Sequence, residues 1–323
     1  MRINLISAIG KIPTSYPFEG YGGIERIVAD LAHVLSAQHE VTLIGSSGSQ
    51  VKDCMVKSSV SEHHMMLSEK YEGITMDFSH LKLYQHPKYS IPMFSDAQGS
   101  NPIYPTKAVR NAFGDTDGKV IYPGIDLSGY YTASKEDYFI VLGRIMPLKG
   151  IDMSMYYAKV AGIKHLKIIG HTGKYSDMGQ VPESSYLSYL KGMGDGMAEF
   201  IADVSEKDKR ELLAHAKGMI FTPNWGIAFK GGIESFGITT VEAMASGTPV
   251  FISSGAGGCN ELLTDGTGKN MAQADWKNLM GFYDQYAEDV YTKKCISHAT
   301  DNFSAKRYAS ELLKYIGETG KDV

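Results

Sequence analysis

Gly231-Gly232-Ile233-Glu234-Ser235-Phe236-Gly237-Ile238-Thr239-Thr240-Val241-Glu242-Ala243-Met244-Ala245-Ser246-Gly247-Thr248-Pro249-Val250 is the stretch on which the reading of this chain turns. It sets two carboxylates, Glu234 and Glu242, eight positions apart, with a glycine-containing loop after the first. An apolar helix follows, stops near Gly247-Thr248-Pro249, and hands the chain to a short strand, Val250-Phe251-Ile252. The first N–H groups of such a helix lack intrahelical partners and sit at the positive end of its dipole, so this turn suits a phosphate. Gly218-Met219-Ile220-Phe221 reads as the strand leading in, which makes the whole stretch strand, loop, helix, strand.

The same alternation extends toward the N-terminus. Tyr138 to Leu142 is a predicted strand, Gly143 to Gly150 a loop carrying Arg144 and Lys149, and Ile151 to Ala161 a helix. Strands follow at Leu166 to Ile169 and Ala198 to Ile201, then a helix opened by a capping box of Ser205 and Asp208. In a parallel sheet the loops after the strands share one rim, where ligands bind. Arg144, Lys149 and a helix N-terminus on one rim suit a diphosphate and stabilise a departing phosphate without calling on a metal. Glu234 suits sugar hydroxyls and Glu242 a ribose, since ionised carboxylates only accept. Spacing alone leaves the alternative open that each is a surface charge on a solvated loop.

The first half begins in the same way. Arg2 to Ala8 reads as a buried strand, and a loop through Pro13, Pro17, Gly20, Gly22 and Gly23 leads to a helix with Ile24, Ile27, Val28, Leu31, Val34 and Leu35 on one face. Val41 to Ile44 closes a βαβ unit. No G-x-G-x-x-G follows the first strand, which argues against a nicotinamide-dependent dehydrogenase. Gly22 and Gly23 either expose amides to a phosphate or simply turn the chain. From Gly45 to about Tyr89 no period emerges; beyond it the pattern predicts a strand over Ser90 to Phe94, a helix over Pro105 to Phe113 and a strand over Lys119 to Tyr122. Pro123-Gly124-Ile125-Asp126 then breaks the chain and marks a domain boundary, and a mostly helical tail runs from Asp275 to about Ile316.

Composition narrows the function classes. A chain of 323 residues with 43% hydrophobic residues supports two domains of ordinary size. A net charge of -4 lacks the basic footprint of a nucleic-acid binder. Three cysteines, Cys54, Cys259 and Cys295, lie far apart with no metal-ligand spacing, which fits a reducing, cytoplasmic compartment. No apolar run reaches the roughly 20 residues of a membrane span, though peripheral membrane contact is compatible. Asp115-Thr116-Asp117 has a spacing that can hold a divalent metal, but it lies in a Gly114 to Gly118 turn where aspartate and glycine are ordinary turn residues, so no metal site is expected.

Taken together, Tyr21-Gly22-Gly23-Ile24-Glu25-Arg26, Val120 to Asp126, Leu142-Gly143-Arg144 with Lys149-Gly150, Phe221-Thr222-Pro223, Glu234-Ser235-Phe236-Gly237 through Val250, and Gly257-Gly258 with Glu261 carry a resemblance. The chain resembles the retaining GT-B glycosyltransferases of family 4, the glycosyl transferases group 1 class. The resemblance implies an α/β fold of two Rossmann-like domains with parallel sheets facing across a cleft. It divides the chain into a shortened acceptor-side domain at 1–122, a nucleotide-sugar donor domain at 123–300, and a C-terminal helix at 301–323 returning to the first domain.

The implied activity is transfer of a sugar from a UDP- or GDP-sugar with retention, without an essential metal; the nucleotide sugar is a substrate, and no cofactor is expected. Arg144 and Lys149 would bind the donor diphosphate, Glu234 the sugar, the backbone at Phe236, Gly237, Ile238 and Thr239 the phosphates or sugar, and Glu242 the ribose. Gly22 and Gly23 would close over the donor. A first-domain histidine usually faces the sugar in such enzymes; the corresponding region is shortened, which leaves His80 and Asp96 as candidates. The acceptor, whether sugar, lipid-linked glycan or small molecule, is not specified, nor is the role of the loop from Asn224 to Gly232. A sugar-nucleotide epimerase and a non-catalytic binding module are the alternatives.

Overall fold

The structure, a computed structural model, describes residues 1–8, 12–20, 22–58, 70–79, 87–92, 101–171, 183–194, 196–224 and 232–319. The chain divides into two compact units, Met1–Asp126 with Asp301–Val323, and Leu127–Thr300.

In the first unit, β1 (Arg2–Ile6) leads through a loop to α1 (Gly23–Ser36) and β2 (Glu40–Gly45). The buried residues of α1 include Ile24, Ile27, Val28, Leu31 and Leu35, so the three- and four-residue spacing does face the sheet; Val34 is only partly buried. β3 (Met55–Ser58), β4 (Ile74–Asp77) and β5 (Tyr89–Ser90) complete a five-stranded parallel sheet in the order β3-β2-β1-β4-β5. Among the described residues, the segment that showed no period thus contributes the strands β3 and β4. β6 (Ile103–Tyr104), α2 (Lys107–Ala112) and β7 (Lys119–Val120) follow, β6 pairing with β7. The sequence pattern does not anticipate β6, while α2 and β7 are shorter than it predicts, and α2 starts late because Thr106 is its cap, accepting the Val109 N–H at 3.2 Å. Asp126 is tied to this unit: its N–H donates to Asp30 at 2.7 Å and its carboxylate accepts the Tyr16 hydroxyl at 2.9 Å.

The second unit runs β8 (Phe139–Leu142), a 3-10 turn at Pro147–Lys149, α3 (Ile151–Val160), β9 (Leu166–Gly170), α4 (Glu183–Met193), β10 (Ala198–Ala202), α5 (Glu206–His215) and β11 (Gly218–Phe221). α6 (Ile238–Ala245), β12 (Val250–Ser253), β13 (Gly268–Met271), α7 (Leu279–Tyr283) and α8 (Glu288–Phe303) follow. Its sheet is parallel throughout, in the order β10-β9-β8-β11-β12-β13. Every residue of β8 and β11 is buried, as expected of central strands covered on both faces. From β8 the chain winds outward to β10, then returns to β11 on the other side of β8 and winds the opposite way. The gap between β8 and β11 is therefore the topological switch point of this sheet, and β1/β4 is that of the first.

α9 (Ala305–Thr319) belongs to the first unit. Tyr308, Ala309, Leu312 and Ile316 are buried along one face, and the helix packs on α1. Arg307 donates to the carbonyls of Tyr122 and Pro123, and Ile125 bridges to Ser304. Among the described residues no helix is long and apolar enough to cross a membrane.

Candidate active site

The N-terminus of α6 is built by Gly237, whose φ of 82° is a left-handed conformation that side chains avoid. A Cβ there would also come within 2.8 Å of the Cys259 Cβ. Phe236 is buried beneath the turn, while Ile238 and Thr239 are the first, partly exposed residues of the helix. Their N–H groups precede the first intrahelical acceptor. Thr239 Oγ1 is buried with no hydrogen-bond partner among the described residues.

Glu234 is held by its backbone. Its N–H donates to Ala256 at 2.9 Å and its carbonyl accepts the Gly258 N–H at 2.7 Å. Gly257, at φ 121°, has no room for a side chain beside the Glu234 carbonyl. The glycine-rich loop after β12 thus works as a clamp on Glu234.

Lys149 ends the 3-10 turn after β8. Gly150 follows at φ 59°, and a Cβ there would overlap the Thr222 carbonyl oxygen, so the loop after β8 lies directly on the loop after β11. The contact is stitched by Thr222 Oγ1 donating to the Gly150 carbonyl at 2.6 Å and Asn224 N–H to the Leu148 carbonyl at 2.9 Å. Across this junction Lys149 Nζ meets Glu234 Oε2 at 2.6 Å. The two side chains are 18% and 11% exposed, which shields the pair from solvent yet leaves it reachable. The neighbouring Cys259 thiol is pushed well above its ordinary range, first by burial and then by the Glu234 carboxylate, with Lys149 opposing. It is therefore a packed neutral thiol beside the pair rather than a nucleophile.

Among the sequence candidates, the structure brings together Lys149, Glu234 and the Phe236–Thr239 turn at the β8/β11 switch point. Arg144 lies in the same connection after β8, partly buried. Glu242, one turn into α6, is almost fully buried, and its Oε1 accepts from Lys209 Nζ and from the Tyr130 hydroxyl, each at 2.7 Å. Sequence reasoning missed Lys209 and Tyr130. The available signal was that Lys209 stands four residues before Leu213, on the face of α5 that is buried. In the first unit Gly22 has φ 144° and caps α1, whereas Gly23 is exposed, with nothing within 4 Å of an added Cβ. Nothing local requires glycine at 23. His80 and Asp96 lie outside the described residues, as do residues 225–231 of the loop before Glu234. Asp115 is occupied as a turn residue: it accepts the N–H groups of Asp117 at 3.0 Å and Gly118 at 2.8 Å, and the Tyr104 hydroxyl at 2.9 Å. The Tyr104 bond is the main reason its carboxyl lies below the usual range. Among the described residues no three His, Cys, Asp or Glu side chains gather as metal ligands.

The family described as glycosyl transferases group 1 matches residues 130–290. The segment from Tyr130 to Val290 belongs to that family. This group 1 segment contains the whole β8/β11 switch point with Arg144, Lys149, Glu234 and Glu242. Curated relatives are D-inositol 3-phosphate glycosyltransferases. That of Mycobacteroides abscessus is 25% identical over 63% of this chain and 47% of its own length. That of Mycolicibacterium smegmatis is 29% identical over 46% of this chain and 34% of its own. The match spans about half the length of the first relative and a third of the second.

Solved structures match over nearly the whole chain. AviGT4, a glycosyltransferase involved in avilamycin A biosynthesis, gives a TM-score of 0.77 at 22% identity, covering 97% of this chain and 96% of that one. Anabaena HepE in complex with UDP and glucose gives 0.70 at 17%, covering 98% and 100%. At these identities the likeness establishes the fold: an α/β chain with parallel sheets in two Rossmann-like units, as in the GT-B glycosyltransferases.

Proposed function

We propose that this chain is a retaining glycosyltransferase that takes a sugar from a UDP- or GDP-sugar, with the second unit holding the donor and the first unit the acceptor. The observation that carries the proposal is the Lys149–Glu234 pair at 2.6 Å, set beside the N-terminus of α6 at the sheet's switch point. An ammonium has three N–H donors, so Lys149 can serve a phosphate oxygen and a carboxylate at once. Arg144, Lys149 and the first amides of α6 then gather positive charge where the diphosphate leaves, and Glu234 accepts from the sugar hydroxyls. Glu242 accepts from the ribose. In the reaction the bond from the sugar C1 to the β-phosphate oxygen breaks, a C1–O bond to an acceptor hydroxyl forms on the same face, and the hydroxyl proton passes to the departing phosphate. The names of the relatives, glycosyltransferases acting on an inositol phosphate and a relative holding UDP, agree with this class.

Incubation with UDP- and GDP-sugars, with and without EDTA, tests the reading. Nucleotide release or transfer is expected to persist in EDTA and to fall about a hundredfold or more in Lys149→Ala and Glu234→Gln, as for loss of a group that stabilises developing charge. Full activity in both variants would sink the assignment, and conversion of the donor without transfer or hydrolysis would make the chain an epimerase. The anomeric configuration of the product, read by NMR, tests retention.

A further inference from the structure

Between α5 and α6, Glu242 sits in a charged group whose other members the donor reading does not use. Glu242 is 2% exposed. Lys209 sends Nζ to Glu242 Oε1 at 2.7 Å and to Glu206 Oε1 at 2.6 Å. The Tyr130 hydroxyl donates to the same Glu242 Oε1, at 2.7 Å. Arg210 lies 5.2 Å over the Tyr130 ring and 3.9 Å from Glu206 Oε2, in space that a side chain at Gly129 would fill. Two carboxylates and two cations are thus gathered with no net charge.

Stability does not explain such a group. Buried ion pairs gain little over apolar residues of the same volume, because desolvation cancels most of their attraction. Two donors on one carboxylate oxygen do secure its direction, since the carboxylate cannot turn about its last bond without losing both. Lys209 adds a second restraint, because Glu206, one turn earlier on α5, holds the ammonium in place. The donors come from α5 and from the chain just before β8, so Glu242 is aimed by parts of the unit that lie outside its own helix.

We infer that Lys209 and Tyr130 are positioning residues that fix the Glu242 carboxylate so that it accepts from the ribose hydroxyls of the donor nucleotide. The inference rests on the donor reading above and assigns to these two residues part of the affinity for the ribose. They act through Glu242, so their effect should be felt only by ligands that offer it a hydroxyl.

The test is calorimetric titration of the wild-type chain, Lys209→Met and Tyr130→Phe with UDP, GDP and the 2′,3′-dideoxy form of each. Each substitution is expected to weaken the ribose-bearing diphosphate about tenfold, the usual size for one charge-assisted hydrogen bond, and to leave the dideoxy form within about twofold. Equal losses on both forms would mean that the group only supports α6, which overturns the inference while leaving the donor reading standing. A wild-type chain that binds none of the four ligands overturns both. Tyr130→Phe removes one oxygen and no packing, so it remains a folded comparison should Lys209→Met unfold.

Discussion

Tyr308 is fully buried on α9, and its hydroxyl has no hydrogen-bond partner among the described residues. Such an oxygen has given up water and received nothing in return, while the ring beneath it packs normally. Tyr308→Phe is accordingly expected to raise stability by about 1 kcal/mol, read as a higher urea midpoint at unchanged slope; a lower midpoint would show that the hydroxyl is satisfied after all. At this scale the placement of Lys149 and Glu234 was legible in the sequence for a simple reason. Arg144, Lys149 and Glu234 follow strands, and loops after parallel strands share a rim, so local pattern was enough to bring Lys149 and Glu234 into one place. Lys209 was passed over because a lysine in a polar helix reads as solvated, and its four-residue spacing from Leu213 was the one mark of the buried face. Its burial depends on how α5 meets α6, which neither segment encodes alone.

Among the elements, α5 and α6 are joined at their C-terminal ends by one side chain. Lys135 Nζ donates to the carbonyls of Ala214 at 2.8 Å and Ser246 at 3.2 Å, and to Thr248 Oγ1 at 2.9 Å, so a cation meets the negative ends of two helices. Burial pulls its ammonium down from 10.5 to about 8, against the raising influence of Cys295 and Glu288. The unfolded chain therefore keeps a proton that the folded chain releases between these values, and stability from this group grows as pH rises from about 8 to 10.5 and is lost on the way back down. Denaturant midpoints across that range should climb less in Lys135→Met than in the wild-type chain; parallel profiles would remove Lys135 as the source. Elements that sequence reading missed share a cause. β4 carries a buried Asp77, and β13, Gly268-Lys269-Asn270-Met271, is polar and partly exposed at the sheet edge. Such strands exist because a neighbour supplies the ladder, β1 for β4 and β12 for β13, and not because their own residues alternate.

For the molecule as a whole, the group 1 match covers 130–290 and so falls wholly within the contiguous unit, while the other unit draws on both ends of the chain. Truncation after Phe303 would strip Tyr308, Ala309, Leu312 and Ile316 from the α1 side and remove the Arg307 bonds to Tyr122 and Pro123. Limited proteolysis with mass spectrometry is expected to find residues 1–126 of the truncated chain cut rapidly and residues 127–300 still resistant; equal resistance in both would refute the dependence on α9. That dependence has a consequence during synthesis. About 180 residues separate Asp126 from Ala305, so at roughly 5–20 residues per second the side of α1 that α9 covers waits on the order of ten seconds or more for that cover. The second unit is completed first, and α1 is the surface on which a chaperone has the longest opportunity to act.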